Sequence, residues 1–420
     1  MKREKIPALV VLLFIASLFF PFAVALKVFT MGLLVLTAIL YNAPAEKWVL
    51  LKERKYIWFM LAFAIIMLLS TIFSDNRADG FRAIQLRLPL FLFPISLGLI
   101  HITKVQRNKV LLGCSLIVTF SCLVSLVYAI SRYAATSNTA WLYNDALSYF
   151  IGQQSIYTAL LVNISIYVFA WHLFFTSATR VQKTWLATAI AFLFIISYLL
   201  ASRNMMLILY TTTVIFTFYI ILTKKKYREG LALLVGMIIA GTLILKFFPQ
   251  TVNRFRELAF TQFNFQSQAK ESHYADELTP EQWNGANFRL AAWQCGWELF
   301  KEHPVIGVGL GDKKDELLKI YEEKQFHFAI KTNKNVHNNY LDILFSMGVA
   351  ALLLFLTGWI FLPAFAAIYN RDMLALLILI TFTLAMVTEN YFDRSIGAIL
   401  FGFYICFMLT PMRSRKRHMT

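Results

Sequence analysis

Apolar runs long enough to cross a bilayer recur along most of this chain and constrain its fold more than any other feature. A spanning helix needs about 20 predominantly apolar residues. Within lipid only helices and closed barrels satisfy their own backbone. The 420 residues are 59% hydrophobic and 15% charged, more apolar surface than a soluble core of this size hides. The expected fold class is therefore all-α, a polytopic membrane protein. Twelve spans are predicted near 6–26, 27–41, 57–73, 88–101, 110–131, 155–176, 185–200, 205–222, 231–248, 342–362, 373–389 and 395–411. The opening "MKREK" leads into the first run with no small-residue cleavage site after it, so it reads as a retained helix.

Charge sets the orientation. With the N-terminus inside, the inner segments hold 21 lysines and arginines. The short outer loops hold 7: Lys27, Arg77, Arg82, Arg87, Arg132, Arg203 and Arg394. Basic residues collect in cytoplasmic loops, so both termini are expected inside and the long polar segment 249–341 outside. That segment has 11 basic and 12 acidic residues and is nearly neutral. The net charge of +17 is thus a cytoplasmic rim facing membrane lipids, not a nucleic-acid surface. Three units follow: 1–248 with spans one to nine, 249–341 as an outer loop subdomain, and 342–420 with spans ten to twelve and a basic tail. Of the four cysteines only Cys295 lies in the outer segment, and no CxxC metal pattern occurs.

The outer segment carries "TPEQWNGANFRLAAWQCGWELFKEHP", which reads as a helix. Thr279 and Pro280 form a plausible cap and first turn, with Gly285 able to delay the start to Asn287. Arg289, Trp293 and Trp297 then share one face, where the tryptophans also suit a headgroup anchor. Gly307, Gly309 and Gly311 precede a helix near Asp312. A glycine turn before a helix can bind phosphate, but this one lacks the P-loop and dinucleotide spacings, and Asp312 and Asp315 would repel an anion. A plain turn is expected.

"NVHNNYLDILFSMG" places His337 just ahead of span ten, with Asn338 and Tyr340 beside it. The positive end of a helix disfavours imidazolium and so keeps the ring able to accept a proton; the bland alternative is an interfacial cap. Arginines gather on the same side. Arg82 and Arg87 precede span four, five residues apart, so they diverge if helical. Arg203 occupies the tight turn between spans seven and eight. Arg394 lies beside Asp393, with Glu389 near enough to pair with it. Arginine at this depth needs a partner, and its fork matches phosphate oxygens. Together these groups suggest a diphosphate site at the outer headgroup level with a histidine base beside it.

The stretches "NFRLAAWQCGWELFKEHPVIGVGLGD" and "VHNNYLDILFSMGVAALLLFL" resemble the O-antigen ligase and O-antigen polymerase superfamily. So do the layout of spans, the outer loop between spans nine and ten, and the "SR" between seven and eight. The resemblance implies a GT-C-like, N-in and C-in protein of the bacterial inner membrane with its active site facing the periplasm. It implies glycan transfer from an undecaprenyl-diphosphate-linked donor to lipid A-core or to another glycan acceptor, with no cofactor and no metal, by inversion. It makes His337 the catalytic base. Arg203 and Arg289 become ligands of the donor diphosphate, together with Arg82 or Arg87. Asn338, Tyr340, Trp293 and Arg394 are possible supporting residues. Ser346 stands where the family often has an acidic residue.

A polymerase would use the same chemistry with a second lipid-linked glycan as acceptor. An oligosaccharyltransferase would use a protein hydroxyl. A transporter or flippase is a different class; the short 177–184 loop, the absence of repeated halves and the external position of the long loop speak against it.

Overall fold

The computed structural model describes residues 5–20, 24–247, 256, 259–272 and 282–412. Thr279 and Pro280, the expected cap pair, lie outside the described residues. Eighteen helices are used below: α1 (Lys5–Ser17), α2 (Val24–Tyr41), α3 (Pro44–Glu53), α4 (Lys55–Ile72), α5 (Arg77–Arg87), α6 (Pro89–Ile95), α7 (Lys104–Thr136), α8 (Ser155–Phe175), α9 (Arg180–Leu199), α10 (Arg203–Lys224), α11 (Tyr227–Phe247), α12 (Asn287–Glu302), α13 (Lys313–Glu323), α14 (His327–Thr332), α15 (Asn339–Phe355), α16 (Leu362–Tyr369), α17 (Met373–Thr388) and α18 (Ser395–Leu409). No strand occurs among the described residues; one isolated bridge joins Glu271 and Trp283.

Among the described residues six helices are long and apolar enough to cross a bilayer, or eight if each of two bent pairs counts as one span. The bent pairs are α2 with α3, at 97°, and α5 with α6, at 44°. Three further apolar helices, within α1, α17 and α18, are shorter. Length and apolarity therefore account for fewer spans than the twelve expected. The difference lies where helices are short or broken. Pro89 follows the buried Arg87 and forces the α5–α6 break.

Two buried arginines staple the helix ends remote from residue 337. Arg54 donates to the carbonyls of Gly98 at 2.5 Å, Ile100 at 2.8 Å and Thr410 at 2.7 Å. Arg107 holds Asp372 at 2.6 and 3.2 Å and the Met408 carbonyl at 3.1 Å. Arg107 satisfies its donors inside protein, and Arg54 satisfies both of its Nη groups, which is how a guanidinium is tolerated at this depth.

The glycine turn is architectural. Gly348 breaks α15 with φ 79° and ψ 179°, and the groups freed by the break are taken up by residues 304–309. Val308 and Gly309 donate to the carbonyls of Phe345 and Ser346 at 2.9 and 3.0 Å, and Val349 donates to the Pro304 carbonyl at 3.0 Å. A broken helix at membrane depth is stable only when its freed groups are satisfied in this way. A side chain at Gly307 or Gly348 would strike the facing backbone. Leu310 and Gly311 donate to Ser70 and Ser74, both at 2.9 Å, and Asp312 accepts from Asp75 and Asn76 at 3.0 and 2.7 Å. The turn's N–H groups are thus used within the protein, as a plain turn requires, and α13 starts one residue after Asp312.

The described residues of the 249–341 segment have their own apolar core. Trp283, Phe288, Cys295, Leu317 and Phe326 pack together with Leu341 and Phe345 of α15. This core fixes α12 against the start of α15 and so positions Arg289 relative to His337.

Candidate active site

Arg203, Arg289, Trp293, His337 and Arg394 all line one cavity of about 470 Å³. They come from the α9–α10 turn, α12, the approach to α15 and the loop between α17 and α18. Asp145, Gln154 and Glu389 share the lining.

His337 precedes the helix cap and has φ +48°. Its N–H donates to Asn335 Oδ1 at 3.0 Å. Asn335 in turn donates to Asp393 at 2.8 Å. The ring stands edge-on to Phe288, with centroids 5.8 Å apart. Its Nδ1 lies 3.3 Å from Glu389 Oε2. A carboxylate only accepts, so Nδ1 carries the hydrogen and, in the neutral ring, Nε2 is left to take a proton. The helix end alone disfavours imidazolium. The structure adds an orienting carboxylate.

Arg289 reaches the same carboxylate. Its Nε donates to the Thr388 carbonyl at 2.9 Å, its Nη1 to Gly285 at 2.5 Å, and Nη2 lies 3.7 Å from Glu389 Oε2. Gly285 gives the guanidinium groups of Arg203 and Arg289 room, since a side chain there would meet both. Burial pushes the Glu389 carboxyl up. The His337 hydrogen bond and the charges of His337, Arg289 and Arg394 outweigh that and hold it below the ordinary carboxylate range. Arg394 makes no ion pair within 4.0 Å among the described residues; the pairing with Asp393 that the sequence suggested does not form.

Asp393 belongs to a neighbouring buried cluster. Arg87, fully buried, contacts Asp342 at 3.1 Å and Asp393 at 3.2 Å. Lys313 contacts the same two at 2.7 and 2.6 Å. Burial raises the Asp393 carboxyl, but Lys313, Arg87 and Asn335 prevail and hold it at about 2.

Arg82 and Arg87 therefore depart from the expected convergence. They diverge on α5 as their spacing demands. Arg87 is consumed by the cluster, and Arg82, 78% exposed, pairs with Asp79 at 2.8 Å and faces a separate cavity of about 450 Å³. Two supporting candidates also lie off the cavity lining. Asn338 caps α15 by accepting from Tyr340 and Leu341, each at 3.0 Å, and Tyr340 donates to the Thr383 carbonyl at 2.8 Å. α12 begins at Asn287, and of its aromatic face Trp293 lines the cavity while Trp297 is half exposed. Ser346, where the resemblance suggested an acid, is buried and donates to the Asp342 carbonyl at 2.5 Å.

From the sequence alone Glu389 is legible only as a partner for Arg394. Its signal was present: it is the one carboxylate between Asp372 and Asp393, closing an apolar helix on the side where the arginines gather.

No curated protein matches the chain. Residues 186–356, which include Arg203, Arg289 and His337, match a family model described as O-antigen ligase. That match covers about two fifths of the chain and supports the O-antigen ligase superfamily and, in general terms, glycan transfer of the ligase type.

Proposed function

We propose that this chain transfers a glycan from an undecaprenyl-diphosphate-linked donor to an acceptor hydroxyl, and that lipid A-core is the acceptor. The observation that carries the reading is the meeting of His337, Arg203 and Arg289 in one cavity. The reaction takes place at the periplasmic face of the inner membrane, where the basic-residue bias puts residue 337.

Nε2 of His337 removes the proton of the acceptor hydroxyl as its oxygen attacks the anomeric carbon. The bond from that carbon to the diphosphate oxygen breaks, and the proton remains on the imidazole. Glu389 steadies the imidazolium through Nδ1, as the acidic partner of a catalytic histidine does. Arg203, Arg289 and Arg394 hold the charge that develops on the leaving diphosphate. Trp293 offers an apolar wall to a sugar ring. A single displacement inverts the anomeric centre. Arg87 serves the architecture, and Arg82 takes no part in donor binding.

The second reading, a polymerase, differs only in using a lipid-linked glycan as acceptor. Transfer in vitro from a defined lipid-diphosphate glycan, offered lipid A-core and a second lipid-linked glycan side by side, separates the two. Product on lipid A-core with inverted configuration is expected. Product only on the second glycan identifies a polymerase, and retained configuration removes the single displacement.

A further inference from the structure

A cleft of about 620 Å³ lies at the other end of the helices that bear the candidate site. Ser155 opens α8 and lines the His337 cavity; Phe175 closes α8 and lines this cleft. At 1.5 Å per residue, α8 puts about 30 Å between them, one hydrocarbon thickness.

Its walls grade from polar to apolar along the helices. On α7 they run Lys104, Asn108, Leu112, Leu116, at steps of four on one face. On α9 they run Gln182, Trp185, Leu186, Ala189, again along one face. Between the two, Trp171 and Phe175 of α8 stack with centroids 4.3 Å apart, and Lys104 Nζ sits 5.7 Å from the Trp171 ring. Leu116 and Trp185 are 47% and 68% exposed, so the cleft opens sideways, toward where acyl chains would lie.

The charge is one-sided. Lys104 and Lys109 line the cleft, and none of its lining residues is acidic. Asp372, behind Lys104, is already held by Arg107 at 2.6 and 3.2 Å, with Lys104 further off at 3.6 Å. One carboxylate thus faces two cations, and Lys109 adds a third positive charge.

We propose that this cleft is a binding site for an anionic phospholipid. Its phosphate lies at Lys104 and Lys109, and an acyl chain descends past Leu112, Leu116 and Leu186 between α7 and α9. The gradient of the walls matches the gradient of such a lipid, and the unbalanced lysines match its charge. A zwitterionic lipid would fill the apolar part equally well but gain less at the rim.

Native mass spectrometry of the full chain in detergent tests this, with phosphatidylglycerol and phosphatidylcholine of identical acyl chains as probes. Phosphatidylglycerol is expected to be retained about tenfold better, the order of magnitude for lysines near an anionic headgroup. Lys109→Gln, at an exposed position, should bring the two lipids near parity. Lys104→Gln with Lys109→Gln should abolish the preference; because Lys104 also touches Asp372, the single variant is the cleaner arm. Inorganic phosphate should not displace the lipid. Equal retention of both lipids, an unchanged preference in Lys109→Gln, or displacement by inorganic phosphate would each overturn the proposal.

Discussion

The cavity around His337 and the cluster around Arg87 are neighbours built from similar residues, yet they are different kinds of site. In the cluster two cations meet two carboxylates within 3.2 Å, and Arg87 is fully closed off from solvent. In the cavity three arginines and a histidine share the lining with Glu389 and Asp145, and the side chains of Arg289 and His337 remain 26% and 24% exposed beside about 470 Å³ of space. Balanced, buried charge holds elements in place. Cationic charge lining a cavity of that size is suited to an anion. The two are joined by one thread, since Asp393 of the cluster binds Asn335, whose side chain accepts from the backbone of His337.

The comparison breaks first at residue 337. His337→Ala should reduce transfer by about a thousandfold, within the range for loss of a general base, while thermal unfolding of the purified protein stays close to wild type. Substantial remaining turnover would remove the base assignment. The cluster should respond in the opposite manner. Arg87→Ala leaves Asp342 and Asp393 short of one buried cation and should lower stability by about 3 kcal/mol, measured by denaturation in detergent. Activity lost with full stability retained would move Arg87 into the active site.

Glu389→Gln sharpens the cavity side. An amide can still meet Nδ1 but cannot balance an imidazolium, so kcat should fall about tenfold to a hundredfold with the KM for donor little changed. An equal rise in KM would make Glu389 a binding group. The smallest effect expected is with pH. Because Asp393 is held at about 2, below its unfolded value of 3.8, its contribution to stability is present above about pH 4 and lost as pH falls toward 2. Thermal melts across that window should show the loss, and Asp393→Asn should flatten that part of the profile.

Much of this was legible in the sequence, for physical reasons. Repeated apolar runs announce helices in lipid, and a histidine at the mouth of one invites a functional reading. The divergence of Arg82 and Arg87 followed from helical spacing alone. Their fates did not, because pairing depends on which carboxylates the fold delivers. Asp342 arrives from α15 and Asp393 from the α17–α18 loop, both more than 250 residues from Arg87. Glu389 was visible, but its approach to His337 spans 52 residues of chain. The break at Gly348 was hidden because a glycine inside an apolar run reads as helix, and only its contact with residues 304–309 shows why it must be glycine.

The division between a ligand-binding cavity and a structural cluster is tested most directly by the affinity of the detergent-solubilised chain for undecaprenyl diphosphate. Arg289→Lys keeps the charge but loses the fork, and should weaken binding about tenfold. Arg82→Lys, at a position on the same face outside the cavity, should leave binding unchanged. Equal weakening by both variants, or none by Arg289→Lys, would contradict the account.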